Sequence, residues 1–343
     1  MLKITKNIVL GYSTRPKIIA EISGNHNGSF KKMTQSIMAA KRSGADLVKI
    51  QSYEAEDITF KEVKKYFNLK DGLWKNLDLW KLYKKASTPF NWHSKIFKFA
   101  KKNNIILFST PFSTRAVDLL EKEKVALYKI ASFEITDLKL IDYVAKTKKP
   151  IILSTGVASI KDIKNAIKII KKYHNKIIIL HCVSGYPTPL QKANIKRINF
   201  LRKKFPKNYI GLSDHTSGIS SSLAASALNS VLIEKHFKLK GEKSVDSKFS
   251  IDEKDLMLLR KFSEEIYLSN KFVKDKINKD SLSLRRSIFA KKNIKKGEKI
   301  NKENIVCLRP KVGICASNYF KILNKKVNKN IDKYNPIKKT NLI

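Results

Sequence analysis

Cysteine is scarce: Cys182, Cys307 and Cys315 are the only three in 343 residues. An odd number with no C-x-x-C spacing argues against a disulfide framework and against a cysteine-based zinc site, and it suits a reducing cytoplasm. Long apolar runs are missing as well. The longest stretches, such as Ile177–Leu180, fall far short of a membrane span, and Met1–Lys17 holds no apolar core of a signal peptide. A cytoplasmic protein with no membrane partner is expected. Acidic residues are few, with 29 Asp+Glu against 71 Lys+Arg, for a net charge of +42. Such an excess points first to a polyanion. Arginine, however, supplies only nine of those 71 (Arg15, Arg42, Arg115, Arg197, Arg202, Arg260, Arg285, Arg286 and Arg309), although it is the better fork for phosphate and base edges. The lysines are spread over the whole chain instead of forming a tail or stripe. No nucleic acid is therefore expected as a partner, and a basic nucleic-acid-binding protein stands only as the non-enzyme alternative.

What is present is enough apolar material for a core. Hydrophobic residues make up 42% and aromatics 9%, which excludes a mainly disordered chain and predicts one large domain with a smaller one. Short β-rich runs recur at 17–22, 46–52, 105–109, 126–131, 150–154, 177–183, 209–212 and 231–236. Helical signals fill the spaces. Ser159 and Asp162 form a capping box, and Ile163, Ala166, Ile167 and Ile170 follow at i, i+3, i+4, i+7. Apolar strands alternating with helices predict a parallel sheet covered by helices. Eight such units predict an α/β fold, a (β/α)8 TIM barrel. A doubly wound sheet would want G-x-G-x-x-G after the first strand, where Glu21–Gly28 reads E-I-S-G-N-H-N-G.

One excursion, between Tyr53 and Asn104, breaks the rhythm and holds all three tryptophans, Trp74, Trp80 and Trp92. Behind a barrel strand it falls on the catalytic face, either as a lid or as an extra helix packing its aromatics on the barrel. The domain reading is a barrel over 1–269, a polar linker over 270–284 and a small module over 285–343.

Active sites of parallel barrels gather at the C-terminal strand ends. Here those ends carry Glu21, Lys49, Gln51, Ser109, Thr110, Lys129, Ser132, Glu134, Ser154, Thr155, His181, Ser184, Ser213, Asp214, His215, Glu234 and His236. A structural barrel has no reason to collect lysines and histidines there, since buried charge is costly unless paired or used. Two lysines among hydroxyls suit a phosphate or phosphate ester. His215 and His236, on adjacent strands, suit one divalent metal with positions left for a substrate oxygen.

The stretches I-I-A-E-I-S-G-N-H-N-G (18–28), V-K-I-Q (48–51), S-T-P-F (109–112), Y-K-I-A-S-F-E (128–134), S-T-G (154–156), G-L-S-D-H-T (211–216), E-K-H-F (234–237) and R-P-K-V-G-I (309–314) resemble, in order, the N-acetylneuraminate (sialic acid) synthase family. The resemblance extends to a C-terminal antifreeze-like (SAF) domain. Three places are similar to the pseudaminic acid branch: residues 83–93, Ser184 within C-V-S-G-Y-P, and D-S-K-F-S at 246–250.

The resemblance implies condensation of phosphoenolpyruvate with an open-chain diacetamido sugar, 2,4-diacetamido-2,4,6-trideoxy-L-altrose. It also implies a divalent cation, Mn2+ or Mg2+, and a homodimer in which each C-terminal module covers the partner's barrel. Sialic or legionaminic acid synthesis is the alternative within the family. By match to the family pattern, Lys49 and Lys129 with Ser132, Ser154 and Ser213 would hold phosphate and carboxylate, supported by Gln51, Thr110 and Ser184. Glu21 and Glu134 are the candidate acid/base groups. Tyr186 and Asp246 would contact the sugar, Arg309 would reach an acetamido group from the other subunit, and His215 and His236 would bind the metal.

Overall fold

Strand pairing in the first part of the chain closes on itself. In the computed structural model, which describes residues 1–61, 67, 69, 73–74, 78–271 and 278–343, a hairpin of β1 (Leu2–Lys3) and β2 (Val9–Leu10) leads into β3 (Lys17–Glu21). There follow β4 (Leu47–Ser52), β5 (Leu107–Pro111), β6 (Tyr128–Ile130), β7 (Ile151–Ser154), β8 (Ile177–Cys182), β9 (Tyr209–Asp214) and β10 (Leu232–His236). From β3 to β10 all neighbours are parallel, and β10 returns to β3 with Glu21 opposite His236. This is the expected TIM barrel. Its cover is α1 (Phe30–Arg42), α3 (His93–Lys102), α4 (Thr114–Lys122), α5 (Leu138–Lys146), α6 (Ile160–Ile170), α7 (Arg197–Lys204), α8 (Ser220–Ala227) and α9 (Glu253–Ser269), with α2 (Leu79–Ala86) as an extra helix inside the excursion. The capping box of α6 forms as expected: Ser159 Oγ accepts from Asp162 N at 3.2 Å, and Asp162 Oδ2 accepts from Ser159 N at 2.9 Å.

Alternation along each strand decides what faces where. Ile18, Ala20, Val48, Ile50, Ile151, Leu153, Ile177 and Ile179 pack against the helices. Ile19, Leu47, Phe108, Ile152, Ile178 and Leu232 form a second apolar cluster inside the barrel, joined by Ile8 and Leu10 of the hairpin region. Two residues further along this inner face, Ile19 gives way to Glu21, Leu47 to Lys49, Phe108 to Thr110, Ile152 to Ser154 and Leu232 to Glu234. The apolar filling turns polar at the C-terminal ends. At Gly211 the inner space is too tight for any side chain: a Cβ would collide with the Leu232 carbonyl oxygen and come within 2.7 Å of Leu180 Cδ2.

Some boundaries differ from the sequence reading. The third barrel strand is shifted two residues later than the expected 105–109, because Ile106 supplies only a carbonyl to Val48 N before regular pairing starts at Leu107. The excursion packs part of its aromatic content on the barrel, with Trp92 edge-on to Phe30 at 5.6 Å and to His26 at 5.7 Å. Residues 62–66, 68, 70–72 and 75–77, on which a lid would depend, lie outside the described residues, as do 272–277 of the expected linker.

Contacts divide the chain into Met1–Lys271 and Phe272–Ile343. In the second unit β11 (Ser287–Ala290) pairs antiparallel with β12 (Ile305–Leu308), over a small core that includes Ile288, Ile294, Ile300, Val327 and Ile337. Among the described residues no helix is long and apolar enough to cross a membrane.

Candidate active site

Four charged side chains meet at the polar end of the barrel, none more than 3% exposed: Glu21, Lys49, Lys129 and Glu234. Parallel pairing brings Glu21 opposite Lys49, and Glu234 opposite Ser213. Lys49 Nζ lies 3.0 Å from Glu21 Oε2 and 3.3 Å from Glu234 Oε1, and it donates to Thr110 Oγ1 at 3.2 Å. Glu234 Oε1 also accepts from Lys129 Nζ at 3.1 Å and from Ser213 Oγ at 3.0 Å. Gln51 Nε2 donates to Glu21 Oε1 at 3.0 Å. Burial raises the Glu21 carboxyl more than Lys49 lowers it. At Glu234 burial works the same way, but Lys129 and Lys49 together outweigh it and hold the carboxyl far below the usual range.

A second group of polar atoms surrounds Gly156. Its N–H donates to Ser132 Oγ at 3.0 Å. A Cβ here would collide with Ser184 Oγ and approach Ser132 Oγ to 2.9 Å and Cys182 Sγ to 3.1 Å. Only glycine leaves this cradle open. Among the described residues Ser154 Oγ and Glu234 Oε2 are buried without a hydrogen-bond partner, so the site holds polar atoms suited to a ligand or water.

The imidazoles of His215 and His236 stand 5.4 Å apart, centre to centre. His215 Nδ1 lies 3.0 Å from the Val183 carbonyl oxygen and 3.7 Å from Cys182 Sγ; the carbonyl contact calls for a proton on Nδ1, which in the neutral ring puts the lone pair on Nε2. Burial pushes His236 well down, so its ring is neutral, and among the described residues its buried Nδ1 has no hydrogen-bond partner. This donor pair fits a divalent cation that fills its other positions with water or substrate oxygens. Among the described residues no group of three or more His, Cys, Asp or Glu side chains is placed to hold a metal. Tyr186 packs on His215 at 4.4 Å, and Phe249 on His236 at 4.7 Å.

The remaining candidates fall around this centre or apart from it. Glu134, on the loop after β6, is pushed up to about 7, chiefly by burial. Asp246 Oδ2 accepts from Gly24 N at 3.1 Å, which ties the loop after β10 to the loop after β3. Arg309 belongs to the second unit, exposed in a hollow that Arg285 and Arg286 also line. The other buried histidines have structural partners: His26 Nδ1 accepts from Gly28 N at 3.1 Å, His93 Nε2 lies 2.7 Å from Ser52 Oγ, and His181 Nε2 lies 2.8 Å from the Ala193 carbonyl oxygen.

Glu234 is the residue that the sequence reading left out of the site. Its signal was available: in E-K-H-F, Glu234 and His236 share the inner face, while Lys235 points the other way to Asp214, 3.1 Å distant.

The NeuB family pattern matches residues 36–275 and the SAF domain pattern matches 285–343. The pseudaminic acid synthase of Helicobacter pylori is 39% identical over 94% of this chain and 96% of its own length. The N,N'-diacetyllegionaminic acid synthase of Campylobacter jejuni is 39% identical over 91% of this chain and 96% of its own. Among solved structures, the N-acetylneuraminic acid synthetase of Leptospira borgpetersenii, in complex with citrate, superposes with a TM-score of 0.73 at 30% identity, over 82% of this chain and 94% of that one. With a matching pattern across most of the barrel and relatives alike from end to end, the chain belongs to the NeuB family.

Proposed function

We propose that the chain condenses phosphoenolpyruvate with 2,4-diacetamido-2,4,6-trideoxy-L-altrose to give pseudaminic acid and phosphate. The observation that carries this reading is the buried Glu21–Lys49–Glu234–Lys129 network, which stands beside paired imidazoles in a chain 39% identical to a pseudaminic acid synthase over 94% of its length.

Lys49 and Lys129 offer point charges to phosphate and carboxylate, and Ser132, Ser154, Ser184, Ser213 and Thr110 offer short hydroxyl donors. The ammonium groups of Lys49 and Lys129, fixed in a buried site, draw the anionic substrate in. Glu234 keeps both lysines aimed before that substrate arrives. The enol C3 then attacks the aldehyde carbon, a C–C bond forms, and positive charge develops at C2. The aldehyde C=O opens and its oxygen takes up a proton to become a hydroxyl; water adds at C2, and the tetrahedral intermediate expels phosphate by C–O cleavage while its C2 hydroxyl gives up its proton to form the keto group. Glu134 takes the proton from that water, and Glu21 orients it. Tyr186 and Asp246 border the acceptor. Held by His215 and His236, a divalent cation, Mn2+ or Mg2+, would supply Lewis acidity to the aldehyde oxygen.

A base pushed up to about 7 becomes competent as the pH rises through that value. The kcat/KM of the native chain is expected to rise through neutrality and level off above it. Glu134→Gln should flatten that limb and lower kcat about 10²-fold or more. A pH–rate series on both proteins checks this, and an unchanged limb in the variant would remove Glu134 from the role.

We place the reaction in the cytoplasm, supported by three free cysteines. We also propose a homodimer whose C-terminal module covers the partner's barrel and brings Arg309 to an acetamido group of the acceptor; the exposure of Arg309 supports it. A rise in acceptor KM for Arg309→Ala is the corresponding readout. The second reading, legionaminic or sialic acid synthesis, draws on the equal 39% identity to the Campylobacter legionaminic acid synthase. A one-pot assay offering each acceptor sugar with phosphoenolpyruvate decides between them by the nine-carbon product. Turnover of N-acetylmannosamine without turnover of the altrose derivative would overturn the choice of acceptor.

A further inference from the structure

Phe249 is the ring that the others at the barrel mouth share. Only 1% of it is exposed. Its centroid lies 4.7 Å from His236 and 5.2 Å from Tyr186, and 6.2 Å from both His215 and Trp74. The planes meet at 61–85°, edge to face throughout.

The backbone that carries it is tied down on two sides. Ser250 Oγ donates to the Asp246 carbonyl at 2.7 Å and accepts from Asn25 Nδ2 at 2.9 Å, while Ile251 N donates to the His236 carbonyl at 2.8 Å. Phe249 is thus fixed both to the loop after β3 and to the end of the strand that presents His236.

The two imidazoles are aimed by different means. His215 has the Val183 carbonyl at Nδ1, 3.0 Å away, the usual way in which a ligating imidazole is held in direction by its second nitrogen. Among the described residues His236 has no such partner at Nδ1, which is buried. What remains to hold its ring is packing.

We propose that Phe249 is the positioning residue of the imidazole pair. Its ring edge sets the direction of the His236 ring, as a hydrogen bond does for His215, and it keeps Tyr186 seated over His215. This rests on the reading that His215 and His236 bind a divalent cation, and it names the residue that orients one of them.

The test is direct titration of the full chain with Mn2+, followed by the free-ion electron paramagnetic resonance signal, alongside acceptor kinetics. Phe249→Ala is expected to weaken Mn2+ binding about tenfold or more, the range seen when groups that orient metal ligands are removed. It should also raise the acceptor KM and leave the phosphoenolpyruvate KM within about twofold. Phe249→Leu, which fills the space without a flat edge, should fall between. If Phe249→Ala does not fold, Phe249→Leu decides by the same measure. Mn2+ affinity within twofold of the native chain in a folded variant, with His236→Ala abolishing binding, would overturn the role of Phe249 alone. Unchanged affinity in His236→Ala would overturn the metal reading and this proposal together.

Discussion

Glu234→Ala unfolds on the order of 10 °C below the native chain. Removing this carboxylate takes from Lys129 its only ion pair among the described residues, and from Lys49 one of its two. Both ammonium groups stay almost wholly buried. Breaking a buried pair by deleting one partner costs about 3–5 kcal/mol, because the survivor keeps its desolvation cost and loses its compensation. For a domain of this size each kcal/mol moves the midpoint by roughly 2–4 °C. Glu234→Gln keeps an oxygen for Ser213 and Lys129 and should lose less. The pH dependence has a definite sign. The folded state holds the Glu234 carboxyl below its unfolded value, so its stabilisation is present above the ordinary carboxylate range and is lost as the pH falls through the depressed value. Thermal unfolding followed by circular dichroism at pH 7, and in steps from the ordinary carboxylate range toward strongly acid pH, measures both effects. A midpoint within about 2 °C of the native chain at pH 7 would mean that the network is not what holds the barrel mouth together.

Lys129→Met gives the opposite pattern, with activity lost and the fold kept. Glu234 retains Lys49 at 3.3 Å and Ser213 at 3.0 Å, and a methionine fills the lysine stem's volume, so the melting point should fall less than in Glu234→Ala. What disappears is a fixed positive charge in a dry site, where one preorganised group is worth about 10²–10³ in rate. The kcat/KM for phosphoenolpyruvate should fall by that factor, measured by phosphate release, with the phosphoenolpyruvate KM raised. Wild-type kinetics for phosphoenolpyruvate in this variant would exclude Lys129 from the substrate's binding site. Compared side by side, the two variants separate charge that holds the fold from charge that holds the substrate.

The barrel was legible because its strands announce themselves twice, by β-branched runs and by a polar residue at the same end of each. Lys49, Thr110, Ser154 and Ser213 stand where period-two alternation places them, and the structure brings them together. Glu234 was visible as a strand end but not as the hub. Its partners come from β4, β6 and β9, and distances between strands cannot be read along one. The N-terminal hairpin left no signal because two-residue strands have no period. Phe249 was legible only as a letter in D-S-K-F-S, since edge-on packing against two imidazoles is a tertiary fact. The two-residue shift of β5 has the same origin: Ile105 and Ile106 are apolar enough for a strand but sit below the pairing frame.

Each barrel strand gives one face to the helices and divides the other lengthwise, apolar filling below and site above. The polar groups at the strand ends therefore depend on a few fixed positions, one or two per strand, each locked by its neighbours' register. The loops beyond the strand ends lie outside that register and are held by contacts between loops instead, as Asp246 is held to Gly24. A lineage built this way can drift in the sugar it takes while its condensation machinery stands still. Relatives named for pseudaminic, legionaminic and N-acetylneuraminic acids, alike at 30–39% identity, are what such a division of labour would leave behind.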